Sequence, residues 1–184
     1  MTILDLKHTH TQFGKDVLPF LSQGVFIDTS VLKIFIDGFI DSRFSEKQDR
    51  DFENLLNILN YLKWNNQWNK FWITPHVLTE ICNHFNKSYN KRQDFKQILK
   101  EIIPIFNDIK EEKDITKDKI LTYVDLNKPV IELGDISLFV CIDSLIKNCK
   151  KTAVLVKDEG FNRRYENDPN TMVIDFDRTY LSLI

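Results

Sequence analysis

The sequence predicts an α/β protein in which a central, mainly parallel sheet lies between two layers of helices. Short apolar runs pass directly into segments whose apolar residues recur three and four positions apart, which is helical spacing. Strands that alternate with helices form βαβ units, and these units build parallel sheets. The chain has 184 residues, of which 42% are hydrophobic, so we expect one domain over residues 1–184.

Four apolar runs predict the strands. The first is a stretch of three consecutive apolar residues that stops at a polar one, as expected of a strand buried on both faces of a parallel sheet. The runs cover 25–27, 71–73, 152–156 and 172–174.

The remaining segments predict helices. Residues 1–22 are expected to form an N-terminal helical extension that ends near Pro19. Thr74 and Pro75 are typical of a helix cap and first helical position. The segment from about 135 is apolar on nearly every side, which indicates a buried helix. Another helix is predicted to begin at residue 29, and a short polar helix is predicted after the strand at 152–156. The remaining predicted helices cover about 46–64, 89–112 and 116–123, and the second of these could bend at Pro104.

Charge and composition exclude several classes of protein. The net charge is −2, so no global basic field attracts nucleic acid, and any such partner must be held locally. The three cysteines form no CxxC motif and no even-numbered disulfide framework, which favours a reducing compartment. No apolar run approaches the roughly 20 residues of a membrane span, and the first residues do not resemble a secretion signal. We therefore expect a soluble, cytoplasmic protein.

Four acidic residues occupy positions where a parallel sheet would bring them together. Asp28 ends the first strand, Asp158 follows the 152–156 strand, and Asp135 lies in the first turn of the buried helix. Glu80 falls at the border between the apolar and solvent faces of its helix. Ligands bind in the crevice beyond the carboxyl ends of such strands. Gathered carboxylates need a compensating cation, and oxygen ligands favour Mg²⁺ or Mn²⁺.

Each of these acids also has a purely structural interpretation. Asp28, Asp135 and Asp158 could cap the helices that follow them, and Glu80 could be a solvated helix residue. The sequence contains no Gly-rich phosphate loop, GxSxG elbow or HExxH motif that would support another chemistry. Only the four acids taken together favour a site.

The motifs that carry these acids resemble those of the PIN-domain family of metal-dependent ribonucleases. They are Val25-Phe-Ile-Asp28-Thr-Ser-Val-Leu32, Thr74-Pro-His-Val-Leu-Thr-Glu80-Ile, Gly134-Asp135-Ile-Ser137-Leu and Val154-Leu-Val-Lys-Asp158. They occur in the family's order over about residues 23–177. The resemblance implies a PIN-like fold, Asp28, Glu80, Asp135 and Asp158 as catalytic metal ligands, Mg²⁺ or Mn²⁺ as cofactor, and hydrolysis of RNA phosphodiester bonds.

Supporting residues follow from the same resemblance. Ser30 matches a small polar residue usual after the first acid, although it could equally be a hydroxyl in the first helical turn. The family often has Thr or Ser two residues before the last acid, where this chain has Val156. A further acid or Asn often follows that acid, and Glu159 and Asn162 are the two candidates.

Other side chains could take part in RNA binding or hold a different metal. Lys157, Arg163 and Arg164 follow the strand that leads to Asp158 and could bind phosphates. His76 and His84 flank Glu80 at spacings of four, a weak zinc pattern without a fourth ligand. Four aromatic residues could stack on bases, although packing in the core is the stronger expectation. They are Trp64, Trp68, Phe71 and Trp72.

The sequence thus predicts a Mg²⁺- or Mn²⁺-dependent endoribonuclease. By analogy, a small domain of this kind is similar to the toxin of a toxin–antitoxin pair, with a protein inhibitor (antitoxin) and a homodimer as possible partners. One alternative is a catalytically degenerate PIN scaffold that binds RNA or protein without cleavage. Another is a haloacid-dehalogenase-like phosphatase, which needs a second Asp where this chain has Ser30.

Overall fold

The computed structural model describes residues 18–181 apart from 46, 48, 63, 65, 124–132 and 166. Five strands are present in this part of the chain. They are β1 (Val25–Ile27), β2 (Phe71–Ile73), β3 (Lys110–Glu111), β4 (Thr152–Val156) and β5 (Thr171–Asp175).

Helices occupy most of the segments between the strands. They are α1 (Leu18–Leu21), α2 (Thr29–Phe44), α3 (Arg50–Tyr61), α4 (Pro75–Tyr89), α5 (Phe95–Asp108), α6 (Lys117–Leu121), α7 (Leu133–Lys147), α8 (Glu159–Tyr165) and α9 (Phe176–Leu181). A 3₁₀ turn at Trp68–Lys70 leads into β2.

The five strands form one parallel sheet with the order β3-β2-β1-β4-β5. Helices flank this sheet, so the predicted α/β sandwich is confirmed. Every residue of β1, β4 and β5 is buried, which explains why the apolar residues of these strands are consecutive and do not alternate with exposed polar ones. Phe20, Phe71, Phe161 and Phe176 are the largest side chains fully enclosed in the core.

Polar side chains fix the first turn of several helices. Asp28 accepts a hydrogen bond from the Val31 N–H at the start of α2, and Thr74 accepts one from Val77 at the start of α4. Each bond satisfies a backbone donor that the helix itself leaves without a partner. These caps fix the points at which β1 and β2 pass into their helices.

Some element boundaries differ from the predictions. The expected helix over 89–112 is divided, because α4 continues to Tyr89 and α5 begins only at Phe95. A bidentate contact between Arg92 and Asp94 lies in the turn between them. The last residues of the predicted helix instead form β3, whose two exposed polar residues carry no apolar signal and pair with the edge of β2.

The first described helix ends close to the predicted position, whereas the last one was not predicted. The short helix α1 includes Pro19 and ends two residues later, which is possible because proline is tolerated in a first helical turn. The remainder of the predicted extension, residues 1–17, lies outside the described residues. Helix α9 directly follows β5, and the sequence analysis does not predict this helix. Among the helices described, none is long and apolar enough to cross a membrane.

Truncation of Leu155 tests the central role of β4. Leu155 is 0% exposed and lies between β1 and β5, so Leu155→Ala leaves a cavity that neighbouring strands cannot close. We expect a loss of about 3 kcal/mol in the free energy of unfolding. Urea denaturation measures it, with Leu121→Ala as control because Leu121 is 55% exposed. Equal effects of the two substitutions would contradict this assignment of the core.

Candidate functional site

The strand order predicts a crevice at one end of β1. The chain leaves β1 toward β2 on one side of the sheet, whereas β4 pairs with β1 on the other side. A reversal of this kind is a topological switch point, and α/β proteins bind ligands beyond the carboxyl ends of the strands there. Asp28 lies immediately after β1, and Asp158 lies two residues after β4. The two acids therefore share this edge of the sheet.

Asp28 is the most enclosed of the predicted site residues, with an exposed fraction of 1%. Its Oδ1 accepts the Val31 N–H at 2.7 Å, and its Oδ2 accepts the Lys157 N–H at 3.2 Å. The second bond joins the end of β1 to the residue that follows β4. Asp28 is therefore both a helix cap, as the structural interpretation held, and a link across the switch point.

Burial makes the ionised form of Asp28 costly. Desolvation is the main reason that its pKa rises from 3.8 to about 6, and the negative charge of Asp158 raises it further. The two backbone hydrogen bonds act in the opposite direction without cancelling the shift. Among the described residues, no lysine or arginine forms a salt bridge with Asp28. The site thus contains a buried carboxylate whose charge is only partly compensated, by two backbone hydrogen bonds and by the charge of Lys33.

Glu80 connects α4 to two other elements through both of its carboxylate oxygens. The Thr29 hydroxyl donates to Oε2 at 2.7 Å, and the Gly134 N–H donates to Oε1 at 2.9 Å. Thr29 directly follows Asp28, and Gly134 directly precedes Asp135. Glu80 is therefore not the freely solvated residue of the structural interpretation, and its partners are the chain neighbours of two other predicted acids.

The other two acids are more accessible. Asp135 is half-buried in the first turn of α7, and Asp158 is exposed, with Oδ1 accepting the Gly160 N–H. Asp158 is close enough to Asp28 to alter its pKa. Across the part of the chain that the structure describes, however, no three His, Cys, Asp or Glu side chains form a group that could hold a metal ion. The four acids are connected around one edge without forming a complete ligand shell.

The predicted supporting residues have separate surroundings. Ser30 is exposed in the first turn of α2, and Glu159 is exposed and pairs with Arg163. Asn162 is buried, and its amide donates a hydrogen bond to Oδ2 of Asp175. Asn162 thus binds an acid that the sequence analysis did not select.

The three predicted phosphate-binding cations all contact protein carboxylates. Lys157 Nζ donates a hydrogen bond to Asp51 at 2.7 Å. Burial acts to lower the pKa of Lys157, but the hydrogen bond to Asp51 outweighs burial and the pKa is raised. Arg164 pairs with Asp143 at 2.7 Å. Burial acts to raise the pKa of Asp143, yet hydrogen bonds from Arg164 and two tyrosines hold it below its ordinary value. Arg163 is the most exposed of the three, with 80% of its side chain accessible.

The zinc and base-stacking alternatives gain little from the structure. His84 Nε2 lies 2.8 Å from Asp37 Oδ1, which also accepts the Tyr89 hydroxyl at 2.6 Å. His76 has a buried Nδ1 without a hydrogen-bond partner among the described residues. The four aromatic residues pack in or against the core, as the sequence analysis expected in preference to base stacking. The ring centroids of Trp64 and Phe71 are 5.6 Å apart, and those of Trp68 and Phe35 are 4.4 Å apart.

Sequence reasoning missed three contributors to this edge. Thr29 and the Gly134 N–H hold Glu80, and both belong to quoted motifs in which only the adjacent acid was selected. Asp175 is a buried acid at the end of β5, opposite Val156. It could have been found by the same signal as Asp28, because an apolar strand ends there in an aspartate.

Comparisons of the chain with protein-family models, with curated proteins and with solved structures find no match in any of the three. The assignment to a family therefore stays a prediction from the motifs, and the geometry of the site carries the argument about function.

Replacement of Asp28 in metal-free protein tests how much its buried negative charge lowers the free energy of unfolding. The folded state favours the protonated carboxyl, so the contribution of Asp28 to stability is complete below the unfolded pKa of 3.8 and is lost as pH rises through about 6. Asp28→Asn removes this titration. Relative to wild type, the variant should gain about 2–3 kcal/mol in the free energy of unfolding between pH 4 and pH 7.5.

Urea denaturation in EDTA at several pH values measures this difference. The quantity compared is the change with pH, so the hydrogen bond that an asparagine amide loses at one backbone donor cancels. Parallel stability curves for the two proteins would contradict a raised pKa at Asp28.

Proposed function

We propose that the protein is a Mg²⁺- or Mn²⁺-dependent endoribonuclease whose site is formed by Asp28, Glu80, Asp135 and Asp158. The observation that carries this proposal is the linkage of these acids across the switch point. Asp28 binds the backbone beside Asp158, while Glu80 binds the neighbours of Asp28 and Asp135. Residues from four separate motifs are thereby connected around one crevice.

The donor set suits a divalent cation of the hard class. It consists of carboxylate oxygens, which are the ligands that Mg²⁺ and Mn²⁺ prefer. Each oxygen of Asp28 and Glu80 accepts one hydrogen bond from the described residues and has the lone-pair capacity for another partner. A cation would also compensate the buried charge of Asp28. Asp158 is exposed, so its carboxylate can adjust toward such an ion with little cost in packing.

When bound, the ion supplies Lewis-acid stabilisation of a phosphodiester and lowers the pKa of water. The protein's own contribution is to hold the acids. Asp28 is fixed by two backbone donors, and Glu80 is fixed by a hydroxyl and a backbone N–H. Two oriented carboxylates on rigid elements lower the entropy cost of assembling the ligand shell.

RNA as the substrate rests on the family resemblance and on local cations. The net charge of −2 offers no general attraction, so binding depends on residues near the crevice. Arg163 has a mainly exposed pair with Glu159, which phosphate can replace at small cost. An antitoxin-like inhibitor and a homodimer are further extensions of this proposal by analogy.

Metal dependence and the role of Asp28 are tested together. Purified protein should cleave single-stranded RNA in Mn²⁺ or Mg²⁺, lose activity in EDTA, and recover it when the metal is restored. Asp28→Asn should lower the rate at least a hundredfold, because the buried carboxylate of Asp28 loses its charge. Asp118→Asn is the matched control, since Asp118 is an exposed acid on α6. The rate is measured with a fluorescent RNA.

The outcomes also separate the alternatives. Binding of RNA that is unaffected by EDTA and leaves the RNA intact would favour a degenerate scaffold. A covalent phosphate trapped on Asp28 would favour a phosphatase. Cleavage that is equal in wild type and Asp28→Asn would exclude the proposed site.

Arg163→Ala tests the proposed phosphate contact. The variant should bind RNA about threefold more weakly in EDTA at low salt, and the slope of log affinity against log salt should fall by about one. Its thermal stability should hardly change, because the Arg163–Glu159 pair is exposed. An unchanged salt slope would exclude Arg163 from the RNA-binding surface.

A further inference from the structure

The carboxylate of Glu80 is held by two groups that have no other evident task at this edge of the sheet. We infer that Thr29 and Gly134 are positioning residues that fix Glu80 for metal binding, an inference that rests on the proposed function. The hydroxyl that supports the acids thus comes from Thr29 and not from position 156, where this chain has valine.

Thr29 is placed with little freedom. It is buried, with 7% exposure, and its backbone begins α2 directly after the Asp28 cap. Its hydroxyl donates to Glu80 Oε2 at 2.7 Å across 51 residues of sequence. A β-branched side chain has few rotamers, so the hydroxyl direction is set by the helix. Thr29 therefore fixes Glu80 relative to Asp28.

Gly134 provides the second contact through its backbone. Its N–H lies in the first turn of α7, where backbone donors have no partner within the helix, and it donates to Glu80 Oε1 at 2.9 Å. A Cβ at this position would lie 2.6 Å from Glu80 Oε2 and 3.0 Å from the Thr29 hydroxyl oxygen. Atoms that close overlap, so a side chain at 134 would displace the carboxylate.

The need for glycine at 134 is one of space and not of backbone conformation. Among the described glycines, only Gly24 has a positive φ. Alanine could therefore adopt the backbone of Gly134, and its cost arises where the new methyl group meets Glu80. This makes Gly134→Ala a local probe of the carboxylate position.

A purely structural role is the competing interpretation, in which Glu80 only caps α7. The two roles differ in what a loss of contact changes. A cap alters the stability of the fold, whereas a positioned ligand also alters the affinity for the ion. Outer contacts to metal ligands typically contribute 10- to 100-fold to metal affinity.

The test compares Mn²⁺ affinity across four variants by calorimetry, with thermal unfolding in EDTA as a second readout. Thr29→Val keeps the shape and removes the hydroxyl, so the Kd for Mn²⁺ should rise at least tenfold. Thr29→Ser retains a hydroxyl, so its Kd for Mn²⁺ should stay within about threefold of the wild-type value. Gly134→Ala should keep the fold and raise the Kd for Mn²⁺ at least tenfold.

Ile58→Val is the control for structural damage. Ile58 is 0% exposed on α3 and belongs to none of the motifs that carry the acids. The substitution should lower the melting temperature, because it removes a buried methyl group, and leave Mn²⁺ affinity unchanged.

Two failures are distinguishable. Wild type that does not bind Mn²⁺ would overturn the proposed function, and with it this inference. Wild type that binds Mn²⁺ with the same affinity as Thr29→Val would overturn the positioning role alone. Should Gly134→Ala fail to fold, the comparison of Thr29→Val with Thr29→Ser still decides the result.

Discussion

The buried carboxylate of Asp28 is the constraint around which this end of the molecule is organised. It stands at the end of the central strand, where water is excluded, and one of its oxygens holds the start of α2 while the other holds the chain after β4. An enclosed charge of this kind is costly unless hydrogen bonds or a cation compensate it. Two hydrogen bonds supply part of that compensation and also tie two parallel strands to the same point.

Glu80 extends this arrangement to the other side of β1. Its two hydrogen bonds join α4 to the first turns of α2 and α7, so three helices meet at one carboxylate. A second contact between α4 and α7, from Thr74 to Ser137, lies nearby in the core. Helices held in this way at their first turns keep Asp28 and Glu80 at fixed positions, which flexible loops would not do.

The charged groups on the adjacent helices serve the fold to different degrees. Arg164, Asp143 and Tyr165 form a connected polar cluster on α7 and α8, with the guanidinium 4.7 Å from the Phe139 ring centroid. This arrangement packs α8 and explains Arg164 without any ligand. Arg163, one residue earlier, points its charge to solvent. Adjacent residues with the same charge therefore have separate roles, which the sequence pattern does not distinguish.

The fold class and the positions of the acids relative to the strands follow from local patterns of residues along the chain. Continuous apolar runs such as Val25–Ile27 predict buried parallel strands, and parallel strands end at one edge. Local signals failed where pairing is not local, as in the two polar residues of β3. The contacts of Thr29 and Gly134 with Glu80, and the burial that raises the pKa of Asp28, become visible only in the folded protein. These properties depend on contacts between residues about 50 or more positions apart, and no local pattern of side chains specifies them.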